Sequence, residues 1–138
     1  MLSEITNKTR GQYSPFDPAI ATMLKSEYDR IDTVVFNNAL HNFGVRLELN
    51  PTVITSYWGL YYGSTRRIVV YNVISTPEKV GVLVHEMVHA YLHSIGRGRE
   101  CHSKMFWYTL GIAQQKAGIA ILGHEALSVD IDETLNAK

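Results

Sequence analysis

The sequence has one cysteine, no long apolar run and no excess of either charge. Because Cys101 stands alone, an internal disulfide is impossible, which is typical of chains that fold in a reducing compartment. No stretch reaches the roughly 18 apolar residues of a membrane-spanning helix. The opening segment, MLSEITNKTRGQYSPF, lacks the apolar core of a signal peptide. We therefore expect a cytoplasmic, intracellular protein without a membrane partner.

The charges balance, with 13 basic and 13 acidic residues and a formal net charge of zero. A neutral chain has no long-range attraction for nucleic acid or for a membrane surface, so any such contact would be local. A length of 138 residues and a hydrophobic content of 46% fit one folded domain. We place this domain at residues 1–138, with a core at 17–118 and a C-terminal segment and tail at 119–138.

The first half of the chain predicts helix followed by strands. Asp17 and Pro18 are typical of a helix start, and Gly44 is expected to end the helical region. The segment VRLEL alternates apolar and polar residues, as a half-buried strand does. YWGLYY and RRIVVYNV are rich in aromatic and β-branched residues and are separated by GST, which indicates a hairpin. We expect a small antiparallel sheet of about three strands.

Two further helices are predicted in the second half. The segment TPE, from residue 76, supplies the cap, the first-turn proline and the early acid of a helix start, and apolar residues extend this helix to Gly96. After the loop GRGRE, another helix runs from about His102 to Lys116. N-terminal helices, a small sheet and two packed helices define the fold class as α+β.

The first of these two helices carries the motif HEMVH, with His85, Glu86 and His89 in an otherwise apolar setting. Residues four apart lie about 40° apart around a helix, so the two imidazoles can reach one ion. Glu86 lies about 100° from His85 and leans over the same opening, where it can act as a general base on water. Burying three polar side chains is costly unless something satisfies them. The pattern therefore favours a Zn²⁺ site over a chance coincidence.

A third ligand has four candidates. His93 continues the series but lies a full turn further along the helix, and Glu100 and Cys101 lie in the following loop. His102 is favoured, because it begins a helix that can pack back on the HEMVH helix with its apolar face inward. The position at which metzincins place their third histidine is Ile95, which excludes that family.

These motifs resemble the SprT-like zinc metalloprotease domain. The resemblance rests on HEMVHA followed about a dozen residues later by HSKMF, and on the upstream segments HNFGVRLEL and GLYYGSTRRIVVYNVIS. It spans roughly residues 31–118. Ser103 stands where the family usually has glycine, and no cysteine zinc ribbon follows. The resemblance implies a zincin-like fold and a zinc metalloendopeptidase, whose cellular relatives cleave proteins crosslinked to DNA.

The expected chemistry is hydrolysis of peptide bonds in a protein or peptide substrate, with Glu86 as the catalytic base and Zn²⁺ on the three histidines. An oxyanion partner could be Tyr91, Tyr108 or a tyrosine of YWGLYY, and that strand could form an edge that binds extended peptide. Single-stranded DNA could contact the loops that contain four arginines. These are Arg66, Arg67, Arg97 and Arg99. The alternatives are a stand-alone processing metallopeptidase without a DNA role and a non-catalytic zinc-binding module.

Overall fold

The computed structural model describes residues 14–51, 58–72, 76–99 and 102–119. Within these ranges the chain forms four helices and one three-stranded sheet, which confirms the α+β class. In chain order the elements are α1 (Pro18–Phe36), α2 (Ala39–Phe43), β1 (Arg46–Asn50), β2 (Gly59–Tyr62), β3 (Arg67–Tyr71), α3 (Thr76–Ser94) and α4 (Lys104–Ala117). Among the described helices, none has both the length and the apolar character that crossing a bilayer requires.

The start of α1 is the one that the sequence predicts. The Asp17 carboxylate accepts a hydrogen bond from the Ala19 amide at 2.8 Å, and Pro18 occupies the first turn, where no amide donor is needed. The helix ends at Phe36, and both Asn37 and Asn38 adopt left-handed conformations before the chain turns into α2. Asparagine tolerates this conformation better than most residues, so the helical region predicted up to Gly44 consists of two helices.

A buried carboxylate joins these two helices. Asp32, in α1, has no exposed surface and accepts hydrogen bonds from the backbone amides of Leu40 and His41, each at 3.0 Å. The His41 ring also bonds to Asp32 through Nδ1, while its Nε2 lies 3.2 Å from a carboxylate oxygen of Asp29. The carboxylate thus satisfies amide donors at the start of α2 that have no partner within the helix.

The sheet has the order β1-β3-β2 and is mixed rather than antiparallel. The predicted hairpin is present, because β2 pairs antiparallel with β3. The expectation that the whole sheet is antiparallel is wrong for β1, which pairs with β3 in parallel, Arg46 opposite Arg67. In β3, residues 68–71 are all buried, as a central strand requires. The alternating β1 segment instead lies at one edge, with β2 at the other.

Helix α3 lies at the centre of the domain and contacts α1, α2, α4, β2 and β3. Its apolar residues fill the core together with side chains from every layer. The fully buried members include Leu24, Ile31, Leu40, Ile68, Leu83, Val84, Met87, Val88 and Phe106. A helix packed on so many sides holds its side chains in fixed positions, including the polar ones that it carries into the interior.

Candidate metal centre

Three histidines converge at the junction of α3 and α4. His85 and His89 lie one turn apart on α3, and His102 lies between the two helices. The Nε2 atom of His102 is 3.2 Å from that of His85 and 3.1 Å from that of His89. The possible ligand atoms of all three residues lie within 4.8 Å of one another, close enough to bind one metal ion.

These separations fit a tetrahedral site. Zinc binds imidazole nitrogen at about 2.0–2.1 Å, so two ligand atoms of a regular tetrahedron are about 3.3–3.4 Å apart. The two observed Nε2 separations are within about 0.3 Å of that value. The three nitrogen donors therefore need only small side-chain rotations to share an ion.

The sequence predicts that His102 begins a helix, but in the structure His102 precedes that helix. Helix α4 begins at Lys104, and the Ser103 hydroxyl caps it by accepting from the Phe106 amide at 3.4 Å. His102 itself has a left-handed conformation, with φ of 55°. The Trp107 indole Nε1 donates to the His102 carbonyl at 3.1 Å and its ring stacks on the imidazole. These two contacts with Trp107 hold His102 in place although His102 lies outside a helix.

The Phe106 ring separates the histidines from the rest of the core. Its centroid lies 4.7 Å from that of His85, 4.4 Å from that of His89 and 4.9 Å from that of His102. Phe106 has no exposed surface, and His85 and His102 are 1% and 5% exposed. An apolar wall on this side lowers the local dielectric, which strengthens the interactions of a charge held there.

Glu86 is buried, with 4% of its surface exposed, and it lines a cleft together with His89 and His102. The cleft has a volume of about 1050 Å³. One wall is β2 with the turn that follows it, and the other is the segment at residues 95–99. His89, His102 and Glu86 therefore border one open groove, whereas His85 is buried and is not among the residues that line it.

Gly59 allows strand β2 to lie close to helix α3, and this role was not predicted from the sequence. A Cβ atom at Gly59 would lie 2.5 Å from a methyl carbon of Val82 and 3.4 Å from Cγ of Glu86. Any side chain would push β2 away from α3. A glycine inside an aromatic strand is a signal of close approach, but the sequence does not say what it approaches.

His93 lies in the cleft but takes no part in the three-histidine cluster. Its Nδ1 is 2.8 Å from the Tyr61 hydroxyl, and the Phe43 ring packs edge-on against it at 5.0 Å. Burial raises the pKa of Tyr61, an effect that nearby Arg66 partly opposes, so the phenol keeps its proton. The preference for His102 over His93 as third ligand agrees with this arrangement. Glu100 and Cys101 lie outside the described residues.

The candidate oxyanion tyrosines are placed differently from one another. Tyr61 of the YWGLYY segment lines the cleft. Tyr91 stacks on Phe36 at 4.9 Å, within the contact between α1 and α3. Tyr108 is 72% exposed on α4. The Tyr62 ring lies 4.9 Å from the Arg67 guanidinium, and Tyr57 lies outside the described residues. Among the described candidates, Tyr61 is therefore the one that lines the cleft.

The four arginines predicted to contact DNA fall into two pairs. Arg97 and Arg99 are exposed and line the cleft. Arg66 lies over the Phe43 ring at 3.8 Å and donates to the Phe43 carbonyl at 2.7 Å. Arg67 pairs with Glu48 and lies 4.9 Å from the centre of the Tyr62 ring. The structure therefore brings one pair to the cleft and places the other against β1, β2 and α2.

Comparisons of the chain with protein-family models, with curated proteins and with solved structures found no match. The resemblance to SprT-like domains therefore rests on the motifs themselves. The geometry shows three histidines close enough to bind a metal ion, two of which line a cleft together with the buried residue Glu86.

Proposed function

We propose that this protein is a zinc-dependent metallopeptidase that hydrolyses peptide bonds. The observation that carries the proposal is the convergence of three imidazole Nε2 atoms beside Glu86 in an open cleft. Imidazole nitrogen is a ligand that zinc commonly takes in proteins. Catalytic zinc sites use three protein ligands and keep one position open, whereas structural sites are closed by four. The described residues supply three possible ligands, and two of them, His89 and His102, line the cleft.

Zinc bound here would act as a Lewis acid that polarises the scissile carbonyl and lowers the pKa of water. The protein must then supply the proton transfers. Glu86 lies in the cleft but outside the three-histidine set, so its carboxylate can accept a proton from the attacking water and return it to the leaving amine. Zinc binding alone would need the three histidines and not this carboxylate, so a buried carboxylate that lines the cleft favours a catalytic role.

The substrate is proposed to bind as an extended strand. Within the described residues β2 lies at an edge of the sheet and pairs with β3, and Leu60 and Tyr61 of β2 line the cleft. Peptides commonly bind exposed sheet edges by adding a strand, with main-chain hydrogen bonds giving affinity and side-chain pockets giving selectivity. This mode would place a peptide bond over the histidines and Glu86.

Cleavage of DNA-bound proteins stays a prediction of the family resemblance. Arg97 and Arg99 on the cleft could contact a phosphate backbone, whereas Arg66 bonds to the Phe43 carbonyl and Arg67 to Glu48. Few contacts and a neutral chain predict weak, strongly salt-dependent binding. A titration of fluorescent single-stranded DNA at two salt concentrations tests this. Binding that is absent at low salt would favour the stand-alone peptidase.

The decisive experiment compares wild type with Glu86→Gln in hydrolysis of a fluorogenic, denatured protein after zinc loading. We expect Glu86→Gln to retain zinc and lose activity by about 10²–10⁴-fold, the usual contribution of a general base. Glu27→Gln makes the same chemical change on α1 and should leave activity unchanged, because neither Glu27 nor its ion-pair partner Arg30 lines the cleft. Full activity in Glu86→Gln, or no activity in zinc-loaded wild type, would contradict the proposal.

A further inference from the structure

His93 faces the same cleft as the metal-binding histidines but has a different partner. It lies four residues beyond His89 on α3 and lines the cleft. Its Nδ1 atom is 2.8 Å from the hydroxyl of Tyr61, which reaches across from β2. The ring is therefore held from one side, and its second nitrogen lies on the other.

The contact with Tyr61 sets the character of that second nitrogen. A phenol donates its proton readily, and a neutral imidazole that accepts at Nδ1 carries its own proton at Nε2. A protonated imidazole also carries a proton at Nε2. With Tyr61 as the donor, Nε2 of His93 is thus a hydrogen-bond donor.

Two glycines lie against the His93 ring. A Cβ atom at Gly98 would lie 3.2 Å from Cδ2 of His93, and one at Gly63 would lie 3.6 Å from Cε1 and 3.8 Å from Nδ1. Gly63 and Gly98 both line the cleft. Because neither residue has a side chain, neither covers the imidazole, which also lines the cleft.

This end of the cleft is also basic. Arg97 and Arg99 flank Gly98 in sequence, are exposed, and line the cleft. Among the described lining residues the one acidic group is Glu86, next to His85 in sequence. Two guanidinium groups and an imidazole N–H make a set of donors suited to a carboxylate, and arginine can bind it through two parallel hydrogen bonds.

We propose that His93, Arg97 and Arg99 form a subsite for the carboxylate of an acidic residue in the peptide substrate; this rests on the proposed function. Four helical residues rise about 6 Å, and an extended peptide advances about 3.3 Å per residue. The acidic residue is therefore about two residues from the scissile bond. Phosphate of single-stranded nucleic acid is less well matched, because its bases stack on successive aromatic faces, whereas Tyr61 is the one tyrosine, tryptophan or phenylalanine among the described lining residues and its hydroxyl contacts His93.

Binding is measured with the full-length, zinc-loaded Glu86→Gln protein, which holds peptides without cleaving them. The ligands are dye-labelled decapeptides of alanine and serine, each with one glutamate or one glutamine moved along the chain. We expect glutamate at one position to bind about tenfold more tightly than glutamine, as a charge-assisted hydrogen bond gives. Equal binding of the two series at every position would overturn the subsite.

Variants in the same background locate the effect. Arg97→Gln with Arg99→Gln should remove the preference, and Gly98→Ala should reduce it without changing charge, because its methyl group crowds His93. Two controls should keep it. A methyl group at Gly111 meets nothing within 4 Å, and Arg46→Gln lies on β1, at the opposite edge of the sheet.

Two further outcomes separate the hypotheses. If the arginine variants weaken binding of a fluorescent oligonucleotide but leave the glutamate preference intact, the subsite takes phosphate and the proposal is overturned. If the wild type hydrolyses no peptide while the glutamate preference and its loss in the variants persist, the subsite is supported and the peptidase function fails. If the wild type hydrolyses peptides but shows no preference for glutamate, the peptidase function is supported and the subsite is overturned.

Discussion

The Nε2 atoms of His89 and His102 lie 3.1 Å apart, although one residue belongs to the interior of α3 and the other to the chain between two helices. The same His102 atom lies 3.2 Å from Nε2 of His85, and one N–H or one lone pair cannot make a well-aligned hydrogen bond to both neighbours, whereas a shared partner can serve all three nitrogens. A metal ion is a partner of that kind, so metal binding is the first property to measure.

We expect about one zinc per chain after loading and gel filtration, because the cluster provides one set of three ligands. His102→Ala should lose the metal, since two histidines remain. His93→Ala should keep it, since His93 bonds to Tyr61 instead. Elemental analysis measures both. Metal loss in His93→Ala together with retention in His102→Ala would show that the ligand assignment is wrong.

Trp107→Phe should weaken zinc binding by about 10–100-fold, the usual cost of removing a group that orients a ligand. The variant keeps an aromatic ring beside His102 but removes the indole N–H that donates to the His102 carbonyl. Competition with a chelating dye gives the affinity. Tyr108→Phe is the matched control, because Tyr108 is 72% exposed. Equal affinities for wild type and Trp107→Phe would exclude a positioning role for the indole.

Gly59→Ala should lower the free energy of unfolding by about 1–3 kcal/mol, as overpacking of a core does. The added methyl group would lie 2.5 Å from a methyl carbon of Val82 and would force β2 away from α3. Urea unfolding measures the change. Gly111→Ala, which meets no neighbour within 4 Å, should be neutral or stabilising. A stable, fully active Gly59→Ala protein would mean that β2 need not lie so close to Glu86.

His41 predicts a pH-dependent term in stability. Its hydrogen bond to Asp32, with smaller contributions from the charges of Asp32 and Asp29, raises the pKa of His41 above its usual value near 6.5. The stabilisation is therefore complete below about pH 6.5, the unfolded value, and is lost as the pH rises through the folded pKa. The effect is modest, since 47% of the side chain is exposed.

The measurement is the urea midpoint of wild type and His41→Gln between pH 5 and pH 9. The wild type should have the higher midpoint at the acidic end, and the difference should shrink towards the alkaline end. A difference that is constant across this range would remove His41 protonation as its cause.

The sequence was informative wherever one helix brings residues together. The spacing of His85 and His89 places both on one face of α3, and the structure confirms that they lie close enough to bind one ion with His102. For His102 the sequence could give only a preference among candidates, since its position depends on how the next helix packs. The catalytic role of Glu86 stays a prediction that the hydrolysis experiment tests.

Pairing between distant segments was the part that local patterns could not supply. Strand β1 pairs in parallel with β3, the central strand of the sheet. Alternation of apolar and polar residues within β1 does not indicate which strand it pairs with or in which direction. The bond between Tyr61 and His93 joins residues 32 positions apart and likewise has no local signal. Gly59 was visible as a glycine in a strand, but its close neighbour Val82 was not.

Because His102 lies outside α4, the metal affinity depends on how α3 and α4 pack against each other. His85 and His89 keep their spacing whenever α3 is helical, but the third nitrogen arrives only when α4 packs against α3 and Trp107 holds the intervening chain. A bound ion would therefore link α3 to α4. Its contribution to the free energy of unfolding would grow with the logarithm of the free metal concentration. Local opening of α4 would release it, so hydrogen exchange in residues 104–117 should slow as metal is added.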